Sequence, residues 1–454
     1  MNLLTTTFKF LNLIGGFAAV GALLSMAFLV INKDGYLTTS GEKVRRLLKI
    51  SSTIWVIGAL GTILFTLAQI LGTTLSDALD LTVIRSFLTQ ISLGKYLAFQ
   101  ALMAVVVLVF SFATKKIELL IVLLVLSIAG LVAPVFESHA ASGGSHSLVI
   151  GSLVIHVIAL SLWVGGVIAL GTLSPEDRPV AVPRFSQLAL WAAVAVVISG
   201  AVNAWARLNF VDAWNSSYAF IVLGKIVATV ILVWIGYRHR KNLANKESIN
   251  WAGFAKLITV EALIMGVTVV MGTWLSTNAS PDRPGVQKFD PALSIVGIPT
   301  PPPPTLSRVL FSYEPNALMI GVLALMVALY IKGVVVLTKR GDKWPIGRTI
   351  AFALGISATD FATSGGLGLY AQFSFSYHMM LALRTLPQGR NSNERGVRGS
   401  LLAALHSKVG VIYTNPIVAL AIFDGSLFAL YFTDLFSVLM QSHVGHLFMS
   451  LHFL

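Results

Sequence analysis

The stretch "VFESHAASGGSHSLVIGSLVIHVIALSLWVGGV", residues 135–167, places three of the chain's nine histidines within eighteen residues. His139 and His146 flank a run of small residues, and His156 lies inside a segment that otherwise reads as a buried apolar helix. An imidazole at that depth serves one of two ends: a hydrogen bond between helices, or a ligand to a metal. The chain has no cysteine, which excludes disulfides, thiolate metal sites and thiol nucleophiles together. A metal would be held by His, Met, carboxylate or backbone. Glu261, Met265 and Met271 bring a carboxylate and two thioethers into one later apolar run. Methionine clusters commonly serve as packing, but thioether with imidazole is also the donor set that suits Cu(I) when thiolate is absent. Lys225, in the run before, has the reach to neutralise Glu261 in a structural ion pair. A second group comprises His378-Met379-Met380 with His443, His446 and His452. His443 and His446 share a helix face by their spacing, and with His378 they would converge at the outer surface. Asp360 and Asp424 are further carboxylates within apolar runs. No Gly-x-Ser-x-Gly, His-Glu-x-x-His or phosphate loop is present, so no enzyme chemistry is read.

The elements that position these groups are dictated by composition. Apolar residues make up 56% of the 454, charged residues 11%, and the mean hydropathy is +0.82. A soluble chain of this length needs far more charge to cover its surface, so most of it belongs in lipid. The net charge of +13 is then loop basicity rather than a nucleic-acid footprint. The apolar N-terminal run is about twice the length of a signal-peptide core. It reads as the first span rather than as a cleaved leader.

Runs long enough to cross a bilayer, about 20 residues, occur near 10–31, 50–72, 95–113, 117–135, 147–170, 185–205, 218–237, 254–275, 316–337, 349–370 and 411–432. The last residues fall inside another. Loops after spans one, three, five, seven and nine hold eighteen Lys and Arg, and the intervening loops six. The basic set is cytoplasmic by this bias, which places the N-terminus and the His139–His146 loop outside. Segment 73–94 reads as an amphipathic stretch on the outer surface. His156 then lies nine residues down span five, roughly 14 Å from its outer end. The Pro-rich run "SPDRPGVQKFDPALSIVGIPTPPPPTLSR" reads as a semi-rigid linker between two bundles.

The charge alternation fails once. Between span ten and the basic cluster Arg384–Lys408 lie only the thirteen residues "AQFSFSYHMMLAL". As a helix they reach about 20 Å, against a hydrocarbon core of about 30 Å. Either the basic loop stays outside, or most of a span is missing around Met379; the end "HVGHLFMSLHFL" stops in mid-pattern, as a deletion or truncated gene would leave it.

Four runs, "VIHVIALSLWVGGVIAL", "RFSQLALWAAVAVVISGAVNAWARL", "YAFIVLGKIVATVILVWIGYRHRK" and "VEALIMGVTVVMGTWLSTNASP", resemble the copper-resistance protein D (CopD) family of inner-membrane copper transport proteins. "KRGDKWPIGRTIAFALG", "FSFSYHM", "LALRTLPQG" and "SHVGHLFMSLHFL" are similar to CtaG-type factors for assembly of caa3-type cytochrome c oxidase. The second family's His-Met-x-x-His-Met and its following span are absent here, where His378-Met379-Met380 runs straight into "LALRTLPQG". By position His378, His446 and His452 carry over.

The expected protein is all-α and polytopic, with about 11–12 spans in two bundles. Its expected regions are an N-terminal four-span bundle (1–135), a copper transport region (136–280), the linker (281–312) and an incomplete assembly-factor region (313–454). The resemblance implies a bacterial cytoplasmic-membrane protein with copper ion as its metal. It also implies an outer-face copper chaperone and cytochrome c oxidase subunits as partners. In this reading His139 and His146 capture, His156 with Met265 or Met271 relays, and Glu261 is a carboxylate ligand or proton partner. His378, Met379, His443, His446 and His452 belong to the second bundle. A b-type haem electron carrier is the alternative, as is a fusion in which only the first bundle works. Haem would need facing axial histidines, and the first bundle offers only His156 deep in a span.

Overall fold

The computed structural model describes residues 2–33, 35–72, 75–137, 146–208, 216–244, 251–277, 305–307, 316–364, 381–387 and 406–440, with the single positions 402, 445, 448 and 452. The protein is all-α, with one two-stranded hairpin among the described residues. Nine helices in the described residues are long and apolar enough to cross a membrane. They coincide with the first nine runs read from the sequence. The chain divides into two compact units, Met1–Val286 and Gln287–Leu454.

The first unit is built around helix α1 (Asn2–Leu24), whose apolar window is 78% buried. Around it stand α2 (Glu42–Leu71), α5 (Ser92–Ala113), α6 (Ile117–Val132), α7 (His146–Leu170), α8 (Arg178–Arg207), α9 (Ser217–Ala244) and α10 (Trp251–Thr277). The windows of α8, α9 and α10 are only 22%, 17% and 28% buried, so their apolar outer faces are what lipid would cover. Lipid supplies no hydrophobic drive between helices, and close contact rests on small residues. Gly15 and Gly58 let α1 and α2 touch backbone to backbone at Trp55 and Asn12. Gly21 and Gly165 do the same for α1 and α7: a Cβ on either would fall inside the other helix's carbonyls, Phe17 O or Gly165 O.

α1 does not end as a regular helix. Residues Ser25–Leu29 form a π-helical turn, with Val30 N–H donating to the Ser25 carbonyl at 2.9 Å. The loop between α7 and α8 and the first two turns of α8 pin it. Asp177, fully buried, accepts from Ile31 N–H at 3.1 Å, and Arg184 donates to the Phe28 carbonyl at 3.2 Å. A hairpin follows, Asn32–Lys33 with Tyr36–Leu37, turning at Gly35 with φ 79°. Leu37 N–H donates to the Lys115 carbonyl and Ile117 N–H to that of Gly35, both at 2.9 Å. The loops after spans one, three and five are therefore laced together on one side, as alternating spans require.

Segment 73–94 folds in its described part as two short helices, α3 (Leu75–Ala78) and α4 (Leu81–Gln90). Asp80 caps α4, accepting from Thr82 N–H at 2.7 Å and Val83 N–H at 3.4 Å. The Thr82 amide, then that of Val83, holds the carboxyl below the ordinary Asp range. A depressed pKa means the cap is fully present above the ordinary Asp value and is lost as pH falls through the lower folded one. Asp80→Ala should therefore speed hydrogen exchange at Thr82 and Val83 at neutral pH, and acid should remove the difference between variant and native protein.

The second unit contains the helices Ala317–Lys339 and Ile346–Ser364. Asn316 caps the first, and it ends at Gly341 with φ 84°. The turn between them is held by Trp344 Nε1 donating to Tyr330 Oη at 2.7 Å, by the Tyr330–Thr349 hydroxyl pair at 2.9 Å, and by Phe352 stacked on Tyr330 at 3.9 Å. The expected continuous run 411–432 is corrected. Lys408–Tyr413 stops at Thr414, and a separate 17-residue helix, Pro416–Phe432, starts where Asn415 accepts from Ile417 and Val418 N–H. Proline at the first turn is pre-organised to begin a helix and cannot continue one. Leu435–Met440 follows. Most of the linker, and the junction around Met379, lie outside the described residues.

Candidate functional site

His156 faces α8 from its place on α7, half-buried, with Nδ1 at 2.9 Å from Ser199 Oγ. The direction of that bond follows from the serine. Its single proton goes to the Ala195 carbonyl one turn back, at 2.5 Å, so Ser199 Oγ accepts and His156 Nδ1–H donates. This places a proton on Nδ1 and orients the ring toward α8, and the imidazole has a further interaction besides. A hydrogen bond that orients the ring through one nitrogen is the second-shell arrangement typical of metal-ligating histidines.

One turn toward the start of α7 a second rung repeats the pattern. Asn203 Nδ2 donates to Ser152 Oγ at 2.8 Å and to the Ser199 carbonyl at 3.0 Å. Asn203 Oδ1 is buried without a hydrogen-bond partner. Ser152 with His156, and Ser199 with Asn203, are i, i+4 pairs on facing helices. Together they make a polar seam between α7 and α8, running from the end that carries His146. The sequence reading did not single out Ser152, Ser199 or Asn203. Their common spacing within apolar runs was the available signal.

The methionines separate. Met265 is 1% exposed, in the same buried cluster as Ala159, Trp163 and Val164 of α7. Met271 turns to α9, its Cε 2.7 Å from where a Cβ would sit at Gly224. Glu261, one turn before Met265, is 5% exposed. The expected Lys225–Glu261 pair is corrected. Lys225 Nζ lies beside Gly272, 3.4 Å from a Cβ built there. Gly272 is eleven residues past Glu261, about 16 Å along the helix, and side chains lean toward the helix N-terminus, which takes Glu261 further away. Both charges take part in interactions of their own.

His146 begins α7, but its side chain, like His139, His378, Met379, His443 and His446, lies outside the described residues. His452 is described, half-buried and stacked on Phe448 with ring centres 5.6 Å apart. Among the described residues no three His, Asp or Glu side chains converge as a metal cage.

Against known families, the profile of the copper resistance protein D-like N-terminal domain matches residues 1–147, and that of copper resistance protein D matches 179–275. The profile of the cytochrome c oxidase caa3 assembly factor matches in two pieces, 328–381 and 379–454. The chain is a fusion of CopD-type and partial CtaG-type segments. Of the polar seam, Ser199 and Asn203 fall inside 179–275, while Ser152 and His156 lie in the stretch between the two CopD-type matches, closer to the end of the first. An uncharacterized protein of Mycobacterium tuberculosis is 35% identical over 180 residues, covering 35% of this chain and 27% of its own length. One of Mycobacterium leprae is 32% identical over the same shares. The copper transport protein CutJ of Bacillus subtilis is 27% identical over 192 residues, 35% of this chain and 36% of that protein. The matches thus span about a quarter to a third of these curated relatives. No solved structure matches the chain.

Proposed function

We propose that this is a multi-pass protein of the bacterial cytoplasmic membrane, N-terminus outside, that moves copper in import or tolerance and serves its delivery toward cytochrome c oxidase. His139 and His146 capture the ion at the outer loop, with an outer-face copper chaperone as the donor. His156 and the Met265 thioether relay it, and Glu261, a turn from Met265, is the carboxylate ligand or proton partner. Met271, turned to α9, takes a lesser part. The regions 1–135, 136–280, 281–312 and 313–454 divide the work as bundle, transport, linker and assembly factor. The observation that supports this reading is the His156–Ser199 bond, which orients an imidazole of α7 against a helix that lies inside a CopD-type match.

In the test, His139→Ala with His146→Ala should weaken copper binding by purified protein and copper accumulation in cells, and Arg207→Ala should change neither. Native copper content in the double variant would remove the capture role.

A second reading has only the first unit handling copper. It is favoured by the assembly-factor profile matching in two pieces that meet at 379–381, where the sequence lacks the length of a crossing. His378, Met379, His443, His446 and His452 would then be idle, and their joint replacement would leave copper binding unchanged.

A further inference from the structure

Outside the α7–α8 seam, the first unit buries a second polar cluster in α1, α2 and α5. Asn12 Nδ2 donates to Gln100 Oε1 at 2.9 Å, with the two residues 5% and 2% exposed. Asn12 Oδ1 is buried and without a hydrogen-bond partner. So is Nε1 of Trp55, a residue 0% exposed and among the largest fully buried side chains. Their residues are neighbours across the α1–α2 contact. Trp55 Nε1 lies 3.2 Å from the Cβ position at Gly16, and Gly16 is one turn, about 6 Å of rise, below Asn12 on the same face. The Gly58 backbone, one turn along α2 from Trp55, touches Asn12 itself.

An indole N–H and an amide oxygen left unsatisfied in an apolar bundle each cost free energy. The chemistry of the pair selects the ligand. A metal cation would satisfy the amide oxygen and leave the N–H orphaned, while an anion would do the reverse. Water accepts from the indole and donates to the amide, and so serves both. With both amides rotated, Gln100 would donate to Asn12 Oδ1, leaving Asn12 N–H and Trp55 N–H as two donors for the two lone pairs of water. An anion would also suit those two donors, but an unpaired charge buried in an apolar bundle costs far more than a neutral water.

We infer that a water molecule is bound between Trp55 Nε1 and the Asn12 amide, joining α2 to the α1–α5 hydrogen bond as one buried network. Thr5 (0% exposed), Lys9 and Asn12 lie on one face of α1, so a polar stripe leads to this site from the N-terminal end of the helix.

The test uses the full chain, labelled with 15N-tryptophan, in detergent. Its nine indole N–H signals are assigned by loss, that of Trp55 in Trp55→Phe. If Trp55→Phe does not insert, Met103→Leu identifies the signal by its shift, since Met103 and the Trp55 ring meet at Gly130. The Trp55 indole should show a magnetisation-transfer peak to long-lived water, and Asn12→Leu should weaken that peak several-fold. No water peak at Trp55 in the native chain, or one unchanged in Asn12→Leu, would overturn the inference.

Discussion

Gly165→Ala should be among the most destabilising single-methyl additions in the first unit, costing about 3 kcal/mol or more. At this crossing α1 and α7 meet through backbone. A methyl on Gly165 would fall inside the Phe17 carbonyl, and the same addition at Gly21 inside that of Gly165. No side chain is present to swing aside, so the helices themselves would have to separate. That separation would also loosen the cluster joining Trp163, Val164 and Met265 to α1. Gly266→Ala is the control, because a Cβ there meets nothing within 4 Å. By propensity alone it should gain roughly 0.5–1 kcal/mol. Thermal midpoints in detergent, followed by tryptophan fluorescence, distinguish the two. Equal midpoints would mean that α1 and α7 do not touch as described.

The second large effect concerns copper and rests on the proposed function. Ser199→Ala should weaken copper binding by about 10–100-fold, the usual cost of losing the partner that orients a ligating imidazole. It removes the acceptor for His156 Nδ1–H and frees the ring to rotate and exchange tautomers. His156→Leu should lose at least as much. Ser199→Thr keeps the hydroxyl and should restore most of the affinity. Isothermal titration with Cu(I) under reducing conditions reads all three. If Ser199→Ala binds copper like the native chain while remaining folded, the imidazole is an interhelical tie and nothing more.

The nine crossings were legible because their signal is length and hydropathy, which any lipid-facing helix must carry. Composition and run length were enough, despite the glycines that most of those runs carry. The break at Asn415-Pro416 was also written in the sequence, as a capping residue followed by a first-turn proline. An apolar run scored for length alone passed over it. The site was less legible. His156 stands out by its type, but Ser152, Ser199 and Asn203 matter only through the pairing of two particular helix faces. Met265 and Met271 are six residues apart on one helix, and rotation about its axis sends one to the core and the other to α9. Lys225 and Glu261 fail to meet because helix–helix register, which the sequence leaves open, sets them turns apart.

The lacing of three loops at one end of the first unit ties its helices to a common rim. Asp177 on Ile31, Arg184 on Phe28, Ser174 on Ser40 and the hairpin on Lys115 and Ile117 fasten α1, α2, α5, α6, α7 and α8 where those loops meet. Six helices tied at one rim share one frame: a shift of the α7–α8 loop is passed to α1, α2 and the α5–α6 turn together, so the helix that carries His156 and the helix that carries Ser199 take their positions from the same fastening.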